Sequence, residues 1–453
     1  MDSTEIDNQA KSDLQTAFAG MLAELEKARE AIDDPALKPP PATARNLAEG
    51  YRYLSGYLFA ASERAFAEDV DFPYFRRAIQ TINKSTWDNA DNLYLSAPID
   101  GSASYRIRCK AQDTAHWRGG KQSKPSAPWY LIFTAITHYT GDTGSLAELT
   151  PATTNNGGSI DSSQLQLEAD GSFEIILAPE KPAGFNGNFI CTRTEHEGVE
   201  QQCNYIICRE LFADWENEQA IDMNIVRLDK IGQPQPAITP EKVIANFDSL
   251  GKVVNAQMRF WNDFFATILD GYGDSPLKTP VAFPGPNQPN NPAPPTAQVG
   301  AAQATNVYSG GMYLLEEDEA LIIEQAIPVK PDYTGFNLNN IWGESFDYTN
   351  YQSSLNNLQA QADSDGKVRY VIAHKDPGVN NWLDTTGHNT GMLSQRWAYT
   401  DLPETLPTLV VTKVPFEQVL QHLPADTIKV SAEQRLNEIR IRQEHTQRRF
   451  RQY

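Results

Sequence analysis

The sequence predicts a mainly β protein with α-helical N-terminal and linking segments, α+β overall, whose globular part is two duplicated β-sandwich-like domains. Three observations support this prediction. A chain of 453 residues is longer than a single core usually accommodates. Short alternating strands separated by Gly, Asn and Asp turns recur in both halves. One motif also appears twice, as LQLEADGSFEIIL in the first half and LQAQADSDGKVRYVIA in the second.

The N-terminal segment, residues 1–70, is predicted to form two amphipathic helices. Apolar residues recur at helical spacing from Leu14 to Ile32, and Ser12 with Gln15 fits a capping box. The proline run in ALKPPPATA ends this helix, because proline lacks the N–H group that a helix needs. A second apolar stripe follows from Leu47 to Ala61. Such stripes are typical of helix packing.

The rest of the chain is divided by changes of pattern. The strands YLSAP and YRIRCK flank an Asp100-Gly101 turn, which predicts a hairpin. Helical spacing returns between Val243 and Phe265, and a proline-rich stretch that should contain no helix follows it. The predicted units are a first β-rich domain at 71–235, a connecting helix at 236–273, a proline-rich linker at 274–306, a second β-rich domain at 307–429 and a helical basic tail at 430–453.

Composition limits the partners and the location. The formal net charge of -20 disfavours binding to nucleic acid or to anionic membranes. The N-terminus lacks the pattern of a secretory signal, and no apolar run is long enough to span a membrane. Four cysteines without CxxC spacing are expected to be reduced structural thiols, although Cys191 and Cys203 could form a bridge if the protein were exported. We therefore expect a cytoplasmic protein.

One region is rich in candidate site residues. Between Asn337 and Trp397, aromatic rings alternate with Asn, Asp, Glu and His in segments expected to be strand ends and loops. Flat rings together with side chains that donate and accept hydrogen bonds suit a ligand that is rich in hydroxyl groups or contains rings. The candidate catalytic residues are Glu344, Asp376, Asp384 and His374, and the candidate ligand-binding residues are Trp342, Tyr348, Asn356, Trp382, His388 and Arg396.

Several chemistries fit these residue types. Two of the three carboxylates could act as acid and base on a glycosidic bond. The two histidines with Asp376 and Asp384 have spacing that permits a metal, but the spacing is not diagnostic, so no tightly bound metal is expected. Pairing of a histidine with Ser345 or Ser353 lacks a nucleophile motif. The cluster could also be structural, with the rings filling a core. No cofactor is expected, because neither GxGxxG after a strand nor a Walker-type loop occurs.

Two further features are interpreted as structural. A second aromatic and amide patch comprises Trp87, Asp88, Asn89, Asp91, Asn92 and Tyr94, and a solvated turn is favoured for it. The tail from Arg435 to Arg451 is predicted to be a helix that is either solvated or in contact with another subunit.

Several stretches resemble the domain-of-unknown-function 1214 family, often found with its companion, the 1254 family. In the first half these are AEGYRYL, WDNADNLYLSAPIDGSASYRIR, LEADGSFEIIL and LFADWENE. In the second half a longer run resembles it more closely, from FNLNNIWGESFDYTNY to VNNWLDTTGH, followed by GMLSQRW. The resemblance implies a bacterial β-sandwich-like module, with relatives associated with carbohydrate, lipid or steroid settings. It implies no settled activity.

The sequence thus predicts a protein that binds a small-molecule or glycan ligand in its second β-rich domain and acts as a hydrolase on glycosidic bonds or on another small molecule. The alternative is a noncatalytic binding or assembly protein whose cluster is structural. At least five of the ten candidate site residues should line one cavity. A homo-oligomer is compatible with either function.

Overall fold

The computed structural model describes residues 3–149, 155–269, 285–295 and 305–451. Within these ranges the helices are α1 (Ser3–Glu30), α2 (Ala44–Ala67), α3 (Pro240–Leu269) and α4 (Ala432–Arg451). Helix α2 begins where the side chain of Thr43 accepts a hydrogen bond from the backbone N–H of Asn46 at 3.1 Å, which satisfies one of the free N–H groups of the first turn. Helix α1 begins well before Ser12, so the predicted capping box lies inside the helix rather than at its start.

The first half of the chain forms a sandwich of two sheets. Its strands are β1 (Arg76–Ile79), β2 (Asn92–Pro98), β3 (Tyr105–Lys110), β4 (Tyr130–Ile136), β5 (Asn156–Asp161), β6 (Ser172–Ala178), β7 (Asn188–Cys191), β8 (Arg193–His196), β9 (Val199–Gln202), β10 (Tyr205–Leu211) and β11 (Asp222–Arg227). One sheet has the order β1-β2-β10-β4-β5 and the other β11-β3-β6-β7, while β8 and β9 pair with each other. Residues of both sheets, such as Leu93, Phe133 and Ile175, share one apolar core.

The second half repeats this arrangement. Its strands are β12 (Asn306–Leu314), β13 (Glu319–Ala326), β14 (Tyr333–Asn339), β15 (Ser354–Asn356), β16 (Val368–Ala373), β17 (Trp382–Asp384), β18 (Thr390–Ala398) and β19 (Thr408–Pro415). The sheet orders are β12-β18-β14-β15 and β17-β16-β13-β19. The predicted α+β fold with two sandwich-like halves is therefore confirmed.

The two halves share a strand order. If β2 is matched to β12, β10 to β18, β4 to β14 and β5 to β15, one sheet of each half has the same sequence of neighbours. The other sheets match in the same way, and in both the last pair, β6 with β7 and β16 with β17, is parallel. The repeated motif ends on the equivalent strands β6 and β16. This agreement is what a duplication requires.

The hairpin predicted at Asp100-Gly101 is wrong, although both strands exist. Strand β2 pairs with β10 and β3 pairs with β6 and β11, so the chain crosses from one sheet to the other at this turn. Both strands bury residues in the space between the sheets, as Leu95 and Ile107 do, and the crossing lets these apolar faces meet. Asp100 stabilises the turn by accepting a hydrogen bond from the backbone N–H of Ser102 at 2.9 Å.

The described part of the proline-rich stretch, residues 285–295, contains no helix and lies along the free edge of β12. The backbone N–H of Asn290 donates to Gly310 O at 2.8 Å, and Ala293 and Tyr308 exchange two backbone hydrogen bonds. Gly311 allows this approach, because a Cβ there would lie 2.7 Å from the Cα of Pro289. The segment thus covers an exposed sheet edge. Residues 274–284 and 296–304 lie outside the described residues.

The three long helices before the second half form a layer. Helices α1 and α2 both pack on α3, and the apolar side predicted for α3 is buried at Leu250, Val254, Met258, Trp261 and Phe265. Trp342 and Met392 of the second half join the same core. Trp87 and Leu149 of the first half pack against this core, so the layer is attached to both halves of the chain.

The C-terminal helix α4 is not the solvated helix that its charge suggested. Arg442, His445 and Arg449 are buried between the two halves. Arg442 donates to Ser354 O in the second half at 2.6 Å, Arg449 donates to Ala90 O in the first at 2.9 Å, and His445 stacks on Trp215. The arginine stems and guanidinium planes pack on aromatic rings, which explains how so basic a helix can be buried.

Candidate functional site

A cavity lies between the two halves, beneath the helical layer. Its volume is about 430 Å³. Its walls come from α2, α3, the sheet that contains β1, β2, β4 and β10, and strands β12 and β18 of the second half. A volume of roughly 300 to 1,000 Å³ is typical of small-molecule sites.

The cavity wall is rich in rings. The aromatic lining residues are Tyr57, Trp87, Tyr94, Tyr139, Trp261, Phe264 and Tyr308. Trp87 contacts Phe264 edge to face at 5.7 Å between ring centroids, and Trp261 contacts Phe264 at 5.3 Å. Val253, Leu149 and Ile136 add aliphatic surface. One side of the cavity is therefore suited to a flat apolar group.

The cavity also has cationic residues, and two of them are paired with carboxylates. Arg64 donates to both oxygens of Asp142, at 3.0 and 2.7 Å. Arg76 forms ion pairs with Glu63 and Glu68. Their guanidinium groups also lie near the ring of Tyr139, which Arg76 contacts through a hydrogen bond of 3.2 Å to the phenol oxygen. The charge of these two arginines is therefore balanced within the protein.

Lys84 also lines the cavity, and its ammonium group donates hydrogen bonds to the second half. Its Nζ donates to Ser345 O at 3.0 Å and to Phe346 O at 2.7 Å, and it lies 4.3 Å from the ring centroid of Tyr348. Burial lowers the pKa of its ammonium group.

Arg396 also lines the cavity, and among the described residues it forms no ion pair, although the negative charge of Asp88 acts on it. Its Nη2 donates to Trp87 O and to Ser394 Oγ, each at 3.0 Å, and its buried Nε has no hydrogen-bond partner among the described residues. The residues that line this cavity include no Asp and no Glu.

Three of the ten candidate residues contact helix α2 instead of a cavity. Trp342 Nε1 donates to Asn46 O at 2.9 Å, His388 Nε2 lies 2.6 Å from Glu49 Oε1, and Arg52 donates to Glu344 Oε2 at 2.6 Å. These α2 residues are spaced three apart, so they lie along one face of the helix. Burial raises the pKa of Glu344 to about 7, against the opposing effect of the Arg52 charge. This part of the cluster is therefore the surface on which helix α2 packs.

Two more candidates contact the first half. Asn356 donates through Nδ2 to Asp91 Oδ1 at 2.9 Å and to Ala213 O at 3.1 Å. Asp91 also accepts from Trp215 at 2.9 Å, and the ring of Tyr348 lies against that of Trp215. These residues therefore hold the halves together.

The remaining four candidates lie at the ends of β16 and β17, near α4. His374 Nδ1 is 2.8 Å from Thr385 Oγ1, and Asp376 forms an ion pair with Arg435 at 2.9 Å. The guanidinium group of Arg435 also lies over the ring of Trp382. Burial raises the pKa of Asp384.

Of the ten candidates, Arg396 alone lines the cavity described above, so the expected convergence of at least five on one cavity is not observed there. The physical reason is that α2, α4 and the first half cover this region and use its polar groups. The catalytic and binding roles assigned to these residues stay predictions. The described residues contain no group of three or more His, Cys, Asp or Glu that could hold a metal ion.

The patch at residues 87–94 contributes to the cavity and was interpreted as a solvated turn. Trp87, Asn92 and Tyr94 line the cavity, while Asp88 and Asp91 are buried. Asp88 accepts two hydrogen bonds from Ser345, and this contact joins the halves. Arg64, Arg76 and Arg209 were also missed. The repeated tripeptides Asn-Leu-Tyr and Asn-Val-Tyr, at 92–94 and 306–308, were the available signal.

Fold and site together define an α+β protein of two equivalent β-sandwich halves with a cavity between them that is lined by aromatic rings. Residues 121–200 match the family model described as "Protein of unknown function (DUF1214)". The match supports the resemblance to that family. The matched residues lie in the first half, whereas the longer run that resembles the family more closely lies in the second. No match shows the companion 1254 family.

Solved structures give a wider likeness. The crystal structure of an uncharacterized protein from Burkholderia cenocepacia is 25% identical and has a TM-score of 0.72, and the alignment covers 90% of this chain and 99% of that one. A protein from Vibrio parahaemolyticus is 12% identical, with a TM-score of 0.39 and coverage of 86% and 100%. No curated protein matches the chain. None of the described helices is long and apolar enough to cross a membrane.

Proposed function

We propose that this protein binds a small ring-containing molecule in the cavity between its two halves. The observation that carries the proposal is a cavity of about 430 Å³ whose wall combines seven aromatic residues with a few polar groups. Ligand sites are generally concave and largely apolar, with a small number of polar groups that orient the ligand. The proposed site lies between the halves and not within the second domain alone, where the sequence had suggested it.

The test measures the binding of two probe molecules to the parent protein and to a variant whose cavity is partly filled. The probes are 1-naphthamide, an uncharged ring compound, and phenyl β-glucoside, which adds hydroxyl groups to a ring. Ala60 lines the cavity from α2, and Ala60→Phe would occupy part of its volume. Ala44→Phe, at the exposed start of the same helix, is the matched control.

A probe that binds the folded state should raise the melting temperature of the parent and of Ala44→Phe, because selective binding stabilises the native state. It should also change the fluorescence of the tryptophans, since Trp87 and Trp261 line the cavity. Both responses should be lost in Ala60→Phe. If Ala60→Phe responds as the parent does, or if neither these probes nor the charged naphthyl compounds of the next subsection bind the parent, the proposal is wrong.

A hydrolase acting on glycosidic bonds is the second candidate, and one observation favours it. Glu344 has a pKa of about 7, which suits a general acid near neutral pH. Against it, glycosidases use two carboxyl groups roughly 5 to 10 Å apart, and the described cavity has none in its lining. Release of nitrophenol from a panel of nitrophenyl glycosides, abolished by Glu344→Gln, would support this function. The absence of release would leave noncatalytic binding.

We propose a cytoplasmic location for this activity. All four cysteines are unpaired, and the thiols of Cys109, Cys203 and Cys208 are buried, which is what a reducing compartment favours.

A further inference from the structure

The proposed binding site contains two copies of one side-chain arrangement, one from each half. On β2 and β10, Tyr94 lies directly opposite Arg209 in the antiparallel register. On the equivalent strands β12 and β18, Tyr308 lies directly opposite Arg396. Residues directly opposite each other in such a pair share a face of the sheet. All four residues line the same cavity.

The tyrosines in both copies are oriented in the same way. Asn92 Nδ2 lies 3.4 Å from the phenol oxygen of Tyr94, and Asn306 Nδ2 lies 3.0 Å from that of Tyr308. In both cases the asparagine stands two residues before the tyrosine. A phenol oxygen that accepts an N–H bond keeps its own proton to donate.

One of the neighbouring register positions differs in character between the halves. Beside the first pair, Leu95 lies opposite Cys208, whereas the matching position beside the second pair has Ser309 opposite Gln395. All four of these neighbours also line the cavity, so its lining differs between the halves beside the two pairs. An arginine opposite a tyrosine is therefore what the two halves have in common at this cavity.

The charges of the lining residues indicate which kind of ligand group the arginine and tyrosine pairs would bind. Arg64 and Arg76 have carboxylate partners, and no carboxylate is among the lining residues. Arg396 has a buried Nε without a hydrogen-bond partner and, among the described residues, no ion pair. A buried cation in this position favours an anion, because an arginine donates charge-assisted hydrogen bonds to carboxylate and phosphate.

We propose that the ligand is an organic anion, with its carboxylate or phosphate group bound by the two arginine and tyrosine pairs and its ring on the aromatic wall. This inference rests on the proposed binding function and specifies the class of ligand.

The experiment compares probes of one shape and different charge. Isothermal titration calorimetry on the full chain would measure 1-naphthoate, 1-naphthyl phosphate and the uncharged 1-naphthamide. We expect at least one of the two anions to bind ten or more times as tightly as the amide, and the stronger of the two identifies the preferred anionic group. Higher salt should reduce the difference, as expected for a charge interaction.

Variants then assign the effect to these pairs. Arg396→Gln and Arg209→Gln should each bring the ratio of anion to amide affinity close to one. Arg396→Lys, which keeps the charge but not the planar fork, should retain part of the preference and guards against a folding defect. Arg108→Gln removes an exposed arginine from β3, away from the cavity, and should leave the ratio unchanged.

The outcomes separate this inference from the binding function. If the anions and 1-naphthamide bind with equal affinity, and this binding is lost in Ala60→Phe, the preference for an anion is refuted. The cavity would then still be a binding site. A ratio that survives both glutamine variants would also refute it. If no probe binds the parent, both proposals fail together.

Discussion

Replacing Glu344 with glutamine should change how the stability of the protein depends on pH. The Glu344 carboxyl is fully buried, its Oε2 accepts from Arg52 and Asn340, and its Oε1 has no hydrogen-bond partner among the described residues. Burial raises its pKa from 4.5 to about 7. Between these two values the folded state holds the proton more tightly than the unfolded chain does. The contribution of the group to stability is therefore complete below the pKa of the unfolded chain and is lost as pH rises through about 7.

The size of the loss follows from the separation of the two pKa values. At about 1.4 kcal/mol for each pKa unit, the full loss is about 3 kcal/mol, of which about 2 kcal/mol falls between pH 5.5 and 8. Glutamine has no proton to release, so Glu344→Gln lacks this loss. Its amide nitrogen would replace the unpaired Oε1 at a cost of about 1 to 3 kcal/mol. That cost is the same at every pH and does not affect the comparison.

Urea unfolding followed by tryptophan fluorescence at pH 5.5, 6.5, 7.5 and 8 measures the effect. The free energy of unfolding of Glu344→Gln, relative to that of the parent, should rise with pH by about 2 kcal/mol. Glu317→Gln, in the exposed turn after β12, changes the net charge equally and should follow the parent. If the difference between parent and Glu344→Gln varies by less than about 0.5 kcal/mol over this range, the assigned burial effect is wrong.

Two further predictions concern α4 and metal binding. Arg442→Met should lower the free energy of unfolding by about 1 to 3 kcal/mol, because it leaves the buried Ser354 carbonyl without its donor. The control is Arg440→Met, which replaces an exposed arginine on the same helix. Equal stability of the two variants would contradict the role given to Arg442. Purified protein should contain no stoichiometric zinc or manganese by elemental analysis, and a metal that is lost on replacing His374 would overturn this expectation.

The sequence predicted the elements better than their pairing. The stripe from Val243 to Phe265 identified α3 because a helical period depends only on local spacing. The Asp100-Gly101 turn suggested a hairpin, yet β2 pairs with β10, more than 100 residues later. Turn chemistry is local, whereas pairing is decided by which apolar faces meet. The repeated motif was informative about topology because both copies end on equivalent strands.

The site was harder to predict for a related reason. Density of polar and aromatic residues identified the region from Trp342 to Arg396, but density does not distinguish a surface that binds a ligand from one that binds another part of the chain. Trp342 and His388 contact α2, and Asn356 contacts the first half. The two arginine and tyrosine pairs are far apart in sequence, so only the register of the strands brings each pair together.

The attachments of α2 and α4 set an order for the completion of the fold during synthesis. Helix α2 bonds to residues 296 and 339 positions away, and α4 bonds to Ala90 across 359 positions. The N-terminal helices are therefore made long before the surface that they contact, and the contacts of Arg449 form only after residue 449 has left the ribosome. Contacts so distant in sequence form late, because long loops must close first. A chain cut within the proline-rich stretch would separate α2 from Trp342, Glu344 and His388, so neither half is expected to fold into its native form without the other.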